Sequence, residues 1–258
     1  MLRAILACAG FMLVAAPANA DELRFDLHLQ KAALVQLRVA RTTAQAHHDN
    51  WSQALPLADL SGLGGGAIDQ GGPVAFRLSR PAGTLACQGT AHDAHADGRC
   101  TLTPNADFTA QLAARGIGRP TEDQSFELTM SGVSLDVPDA LRAAGWERPS
   151  IAQLVELGIF HVTASDVRAL AEVGYKNGAI KTLVEFAIFH VTPDYIRSMR
   201  AAGLDGLSAA TLVQLRIFKL TPQDARAFAK EGRAPLSAQR LVDARIAGSH
   251  PQARGDDS

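Results

Sequence analysis

The chain has 258 residues, with 25 Lys and Arg against 26 Asp and Glu and a net charge of −1. That balance excludes the strongly basic footprint of a nucleic-acid binder, and nothing beyond the first 20 residues approaches the ~20 apolar residues needed to cross a bilayer. With 5% aromatic residues against 47% hydrophobic ones, the cores are expected to pack from Ala, Leu and Val.

Residues 1–20 read as a secretory signal peptide. Arg3 supplies the basic start, Ala4 to Ala16 the apolar core, and Ala18-Asn19-Ala20 the cleavage site, with cleavage after Ala20. A lipoprotein signal using Cys8 is the rival, but only four apolar residues precede that cysteine. The expected localisation is periplasmic or secreted, without a transmembrane segment in the mature chain.

From residue 21 to 136 the hydrophobic period is two, which predicts a β-rich domain. Leu23, Phe25, Leu27 and Leu29 alternate with polar residues, and Val35, Leu37 and Val39 repeat the pattern after a turn near Lys31. The segments VAFRL, TLACQG, CTLT and SFELTM (Phe126, Leu128, Met130) follow, separated by Gly, Pro and Asn. One short helix is predicted at Ala106 to Arg115, with Asn105 as N-cap and Gly116 as stop. In a hairpin folding about His92 to His95, Cys87 faces Cys100. A disulfide between them suits an exported chain, and the shared parity with Leu85 and Leu102 turns both inward. The glycine-rich run Gly62 to Gly72 has no G-K-[ST] ending and reads as a loop.

From 137 to 247 the period becomes helical, and the segments starting at Leu154, Leu183, Leu212 and Leu241 recur every 29 residues. Such an interval marks stacked repeats. Each unit reads as two helices. Ser150, Ser208 or Ser237 caps the first. Thr163, Thr192 or Thr221 caps the second, with Pro193 and Pro222 at N1, and Gly145, Gly174, Gly203 and Gly232 close it. Residues 248–258 read as a disordered tail. The predicted fold class is α+β: an N-terminal antiparallel β sandwich or partly open barrel, then a short α-solenoid of two-helix repeats.

The phrase IFHVTPDYIRSMRAAGL resembles a repeat of the form L-R-I-x-G-V-T-P-x-Y-I-x-x-L-R-x-x-G-Y. That repeat occurs in exported bacterial proteins and after the peptidase domain of some BlaR-like antirepressor membrane metallopeptidases. The resemblance covers about 110 residues, Pro138 to Ala247. Phe160, Phe189 and Phe218 depart from the pattern, and there is no H-E-x-x-H zinc signature, so the resemblance implies a repeat and no peptidase activity.

Candidate chemistry is sparse. His92, Asp93, His95 and Asp97 carry metal-ligand atom types, yet their place at a hairpin tip favours a solvated turn; His47-His48-Asp49 is a weaker case of the same kind. His161 and His190 share one repeat position, where the third unit has Lys219, whose ammonium has no lone pair for a metal. Arg168, Arg197 and Arg226 recur on the second helix, with Glu156, Glu185, Gln214 and Asp243 recurring on the first. The Arg series is either a guanidinium ladder offered to an acidic partner or a set of inter-helix ion pairs. No G-x-S-x-G elbow or free nucleophilic cysteine is present.

These readings predict a non-enzymatic exported scaffold, without a cofactor or metal, that presents its repeats to a protein or peptide partner and binds no nucleic acid. The alternatives are a metal-binding protein or metal-dependent hydrolase using the His92/Asp97 hairpin, and an accessory to a membrane metallopeptidase sensor.

Overall fold

The computed structural model describes residues 22–30, 33–42, 48–230 and 236–248, with the side chains of His48, Asp49 and Gly65 excepted. The expected signal peptide of residues 1–20, the expected turn at Lys31, His47, Gly232 and residues 249–258 lie outside the described residues. The chain divides into two compact units, Met1–Leu78 with Ala86–Thr101, and Ser79–Leu85 with Leu102–Ser258.

Seven strands form one antiparallel sheet, curled into a half-barrel. They are β1 (Glu22–Leu29), β2 (Leu34–Thr42), β3 (His48–Pro56), β4 (Leu60–Ser61), β5 (Gly72–Arg80), β6 (Gly83–His92) and β7 (His95–Pro104), in the order β3-β2-β1-β7-β6-β5-β4. The two-residue periodicity sets which side is the core. On β1, Leu23, Phe25 and Leu27 are buried; on β2, Val35, Leu37 and Val39; on β5, Val74, Phe76 and Leu78. Phe25 meets Phe76 edge-on at 5.0 Å between centroids.

The β6–β7 hairpin turns on Asp93 and Ala94, both with positive φ (49° and 61°). Two such residues make the mirror-image turn whose twist suits a two-residue hairpin. Its register brings Cys87 and Cys100 to a Cα separation of 4.0 Å, and they are disulfide-bonded. Cys87 is buried and Cys100 half-buried.

Two readings of this region are corrected. The glycine run is not all loop, because Gly65–Gln70 forms helix α1 and fully buries Ile68. SFELTM is not a strand but part of helix α3 (Glu122–Ser131). Thr121 and Gln124 close a capping box there, which satisfies two backbone donors reciprocally. Ser125 and Thr129 are buried as well, their hydroxyls bonding back to Thr121 O and Ser125 O at 2.7 Å. Burial around most of the helix therefore imitates strand alternation.

Helix α2 (Ala106–Ala114) begins at Asn105, whose side chain accepts from the amides of Asp107 and Phe108. Beyond α3 come α4 (Asp136–Ala143), α5 (Ile151–Ile159), α6 (Ala164–Glu172), α7 (Ile180–Ile188), α8 (Pro193–Ala201), α9 (Ala209–Ile217), α10 (Pro222–Lys230) and α11 (Ala238–Ile246). The odd-numbered helices from α3 start at 122, 151, 180, 209 and 238, a constant step of 29. The even-numbered ones from α2 start at 106, 136, 164, 193 and 222, the same step within one residue. The helical register thus continues upstream of Pro138 as far as Ala106.

Packing follows that register. Helix α5 lies on α3, α7 on α5, α9 on α7 and α11 on α9, while α6 lies on α4 and α10 on α8. Side chains also tie successive units to one another's backbone. Arg200 donates to Val173 O at 2.6 Å, Arg216 to Phe189 O at 2.9 Å, and Tyr195 to Leu220 O at 3.0 Å. Where Ala179 provides no cap, Glu147 from the preceding unit accepts from Ile180 N at 2.8 Å.

Candidate functional site

Both helices of each unit end in the same backbone arrangement. At the even helices, Gly145, Gly174 and Gly203 hold the left-handed position with φ of 74°, 92° and 93°, a conformation that costs glycine little. At the odd helices that position holds His161, His190 and Lys219, each with φ of 54°. The closing bonds are those of a Schellman end: His161 N to Gly158 O at 3.0 Å and Val162 N to Leu157 O at 2.9 Å, with equivalents at His190/Val191 and Lys219/Leu220. One interval upstream and downstream the slot is glycine, Gly132 with φ 69° and Gly248 with φ 73°. The three inner turns therefore carry a basic or imidazole side chain where the outer turns carry none.

Those side chains are exposed, and so is the isoleucine two residues before each. Ile159, Ile188, Ile217 and Ile246 are 44%, 43%, 52% and 66% exposed, one per interval. Phe160 is exposed and Phe189 and Phe218 half-buried. Four isoleucines left in water at a fixed period form an apolar row, in contrast to the scattered single exposures that need no explanation. Between the first two of these turns lies a hollow of about 240 Å³, lined by Phe160, His161, Phe186, His190 and Pro193 among others.

Arg168, Arg197 and Arg226 are all exposed. Arg197 pairs with Asp194 of its own helix at 2.7 Å, and Arg168 and Arg226 form no ion pair or hydrogen bond among the described residues. No ladder of inter-helix ion pairs forms through these three. Arg168 lines an open groove of about 590 Å³ with Arg142, Glu172, Lys176 and Asn177. Other arginines do bind across units: Arg115 pairs with Asp139 of α4 at 2.7 Å, Arg245 with Asp224 of α10 at 3.3 Å, and Arg200 and Arg216 reach backbone carbonyls, Arg216 also standing over the Tyr195 ring at 4.8 Å. Burial pushes the Tyr195 phenol up to about 12 and raises that of Tyr175.

The hairpin histidines have different surroundings from those the local sequence suggests. His95 and Asp97 are within β7, not at the tip, and they pair in register with His28 and Asp26 of β1. A ring nitrogen of His95 lies 3.1–3.2 Å from those of His28, and the rings tilt at 4.2 Å between centroids. Asp26 reaches His28 Nε2 at 3.1 Å and His95 Nε2 at 3.4 Å. His92 adds a third imidazole, 5.1 Å from His95 between centroids. Two overlapping triads share His95: Asp26, His28 and His95, and His92, His95 and Asp97. Asp93, in the turn, belongs to neither. The local sequence named three of these five residues, while Asp26 and His28 come together with them only through the β1–β7 pairing.

No protein-family model matches this chain, and no curated protein or solved structure does either. No described helix is long and apolar enough to cross a membrane.

Proposed function

We propose that the protein is a non-enzymatic, exported interaction protein whose helical array offers its odd-to-even turns to a protein or peptide partner in the cell envelope. The observation that carries this reading is the repeated triplet Ile-Phe-His, Ile-Phe-His, Ile-Phe-Lys at residues 159–161, 188–190 and 217–219, whose isoleucines and His or Lys residues are exposed. Exposed isoleucine gains nothing from water, and a non-glycine residue in the left-handed position costs ~1–2 kcal/mol. Three successive units keep both features, while the flanking glycine turns avoid the second. Side chains retained against folding preference are what a contact surface requires.

The partner favoured by this edge presents apolar side chains at a regular spacing, with carboxylates toward Lys219. The Arg168, Arg197 and Arg226 series is a second surface for acidic groups, suited by its planar donor forks. Export is supported by the disulfide, which persists in oxidising compartments, and by the signal-like residues 1–20. The resemblance to the repeat of exported bacterial proteins fits the same reading, and with it an accessory role beside a membrane metallopeptidase sensor.

Site-specific photo-crosslinking in the native envelope tests the proposal. A crosslinker at Ile188 or Ile217 is expected to trap a partner that one at Thr90, on the sheet, does not. Crosslinks from the sheet alone, with none from the turns, would refute it.

A further inference from the structure

We infer that the outward face of β1 and β7 is a binding site for one divalent transition-metal ion, held by His28, His95 and Asp26, with His92 and Asp97 completing or exchanging with that set. This goes beyond the partner surface of the helices and is independent of it.

The first ground is geometry. A tetrahedral site with metal–nitrogen distances of ~2.0–2.1 Å sets its ligand atoms about 3.3 Å apart. The separations here are 3.1–3.2 Å between the ring nitrogens of His28 and His95, and 3.1 and 3.4 Å from those rings to Asp26. His95 meets His28 through Nδ1 and Asp26 through Nε2, so a set of one ligand atom per residue lies within 4.8 Å of one another, and a bound ion would draw it together to that edge length. Imidazole with carboxylate suits Zn²⁺, Cu²⁺, Ni²⁺ or Co²⁺ rather than Mg²⁺ or Ca²⁺.

The second ground is the register. Arg24 faces Arg99 and Asp26 faces Asp97 directly across the β1–β7 pair, and like charges in that relation destabilise a sheet. Glu22 relieves the arginines, reaching Arg24 at 3.0 Å and Arg99 at 3.4 Å. Among the described residues the two aspartates have no such fixed counter-charge. Arg38 is opposite Asp26 on β2, yet forms no ion pair with it among the described residues. Three imidazoles surround the acidic pair instead, and a divalent cation would neutralise the acids while using the imidazoles as ligands.

The third ground is support. Four of the five residues are within paired strands, and the fifth, His92, ends β6. Sites built on such elements hold their ligands better than loops do. His95, common to both triads, has a side chain only 21% exposed, and the disulfide Cys87–Cys100 clamps the hairpin that carries it.

Calorimetric titration of the untagged chain from Asp21 to Ser258 with Zn²⁺ tests the site, with the visible absorption of Co²⁺ as a second readout. One ion per chain is expected, with a Co²⁺ spectrum of low-coordinate nitrogen and oxygen ligation. Affinity should fall as the pH is lowered, because the metal competes with protons for its ligands. His95→Ala and His28→Ala should each weaken binding by about 100-fold or more, beyond the 10–100-fold cost of losing an outer partner of a ligand. Asp97→Asn should cost about 10-fold, and His161→Ala/His190→Ala nothing. Circular dichroism of each variant establishes that the sheet is intact. Absence of saturable uptake, or uptake that survives His28→Ala/His95→Ala, would overturn the assignment.

Discussion

Replacing His161, His190 and Lys219 together by glycine should make the protein more stable, not less. Each residue has φ of 54°, where a side chain costs ~1–2 kcal/mol. Glycine relieves that cost but adds ~0.5–1 kcal/mol of unfolded-state freedom, leaving a net gain of about 0.5–1 kcal/mol per position. Lys219 should gain least, since its charge at a helix C-terminus is itself worth ~0.3–1 kcal/mol. Taken as independent, the gains add to about 2 kcal/mol. In a chain of this size 1 kcal/mol corresponds to ~2–4 °C, which predicts a melting temperature higher by about 4–8 °C. Thermal scans of the single, double and triple variants, with urea titration for the free energies, measure it. If the triple variant were less stable than the parent, these side chains would be serving the fold, and the case for a partner surface built on them would collapse.

Other consequences can be checked on the same protein. Cys87→Ser/Cys100→Ser removes a bridge across a separation of 13 residues, and chain-entropy estimates put the loss at about 3 kcal/mol, readable as a lower urea midpoint. Gly178→Ala would bring a Cβ to 2.6 Å from the Trp146 ring and should cost about 1–3 kcal/mol by overpacking, measured by the same titration. The Tyr195 phenol is raised above its unfolded value of 10, up to about 12. Its contribution to stability is therefore complete below pH about 10 and lost as the pH climbs through about 12. Ultraviolet titration should show delayed tyrosinate formation, and Tyr195→Phe should flatten the alkaline loss of stability.

How much of this could be read in the sequence depended on how far each signal reaches. Strands β1 and β2, the hairpin with its disulfide and the Ser and Thr caps of the helices are local patterns, and each was legible. Strand β3 was not, because its core-facing positions include Trp51, Gln53 and Leu55, a row interrupted by an amide. Helix α3 reads as a strand because Ser125 stands in the slot that Leu154 fills one interval later, which hides both the helical period and the kinship with later units. The Asp26 and His28 pair is silent in the sequence for a different reason. On β1 they are the polar half of a regular alternation, and their chemistry arises only when β7, some seventy residues later, pairs beside them.

The constant step of the odd-numbered helices makes the length of the array a variable separate from its fold. Because Gly178 and Leu207 each precede the cap position of an odd helix, excising residues 179–207 would rejoin the chain with Ser208 as a ready cap and one Ile-Phe turn fewer. Valency toward a partner could then be adjusted in whole steps. A graded decline in avidity across such a shortened series would reveal how many turns the partner engages at once.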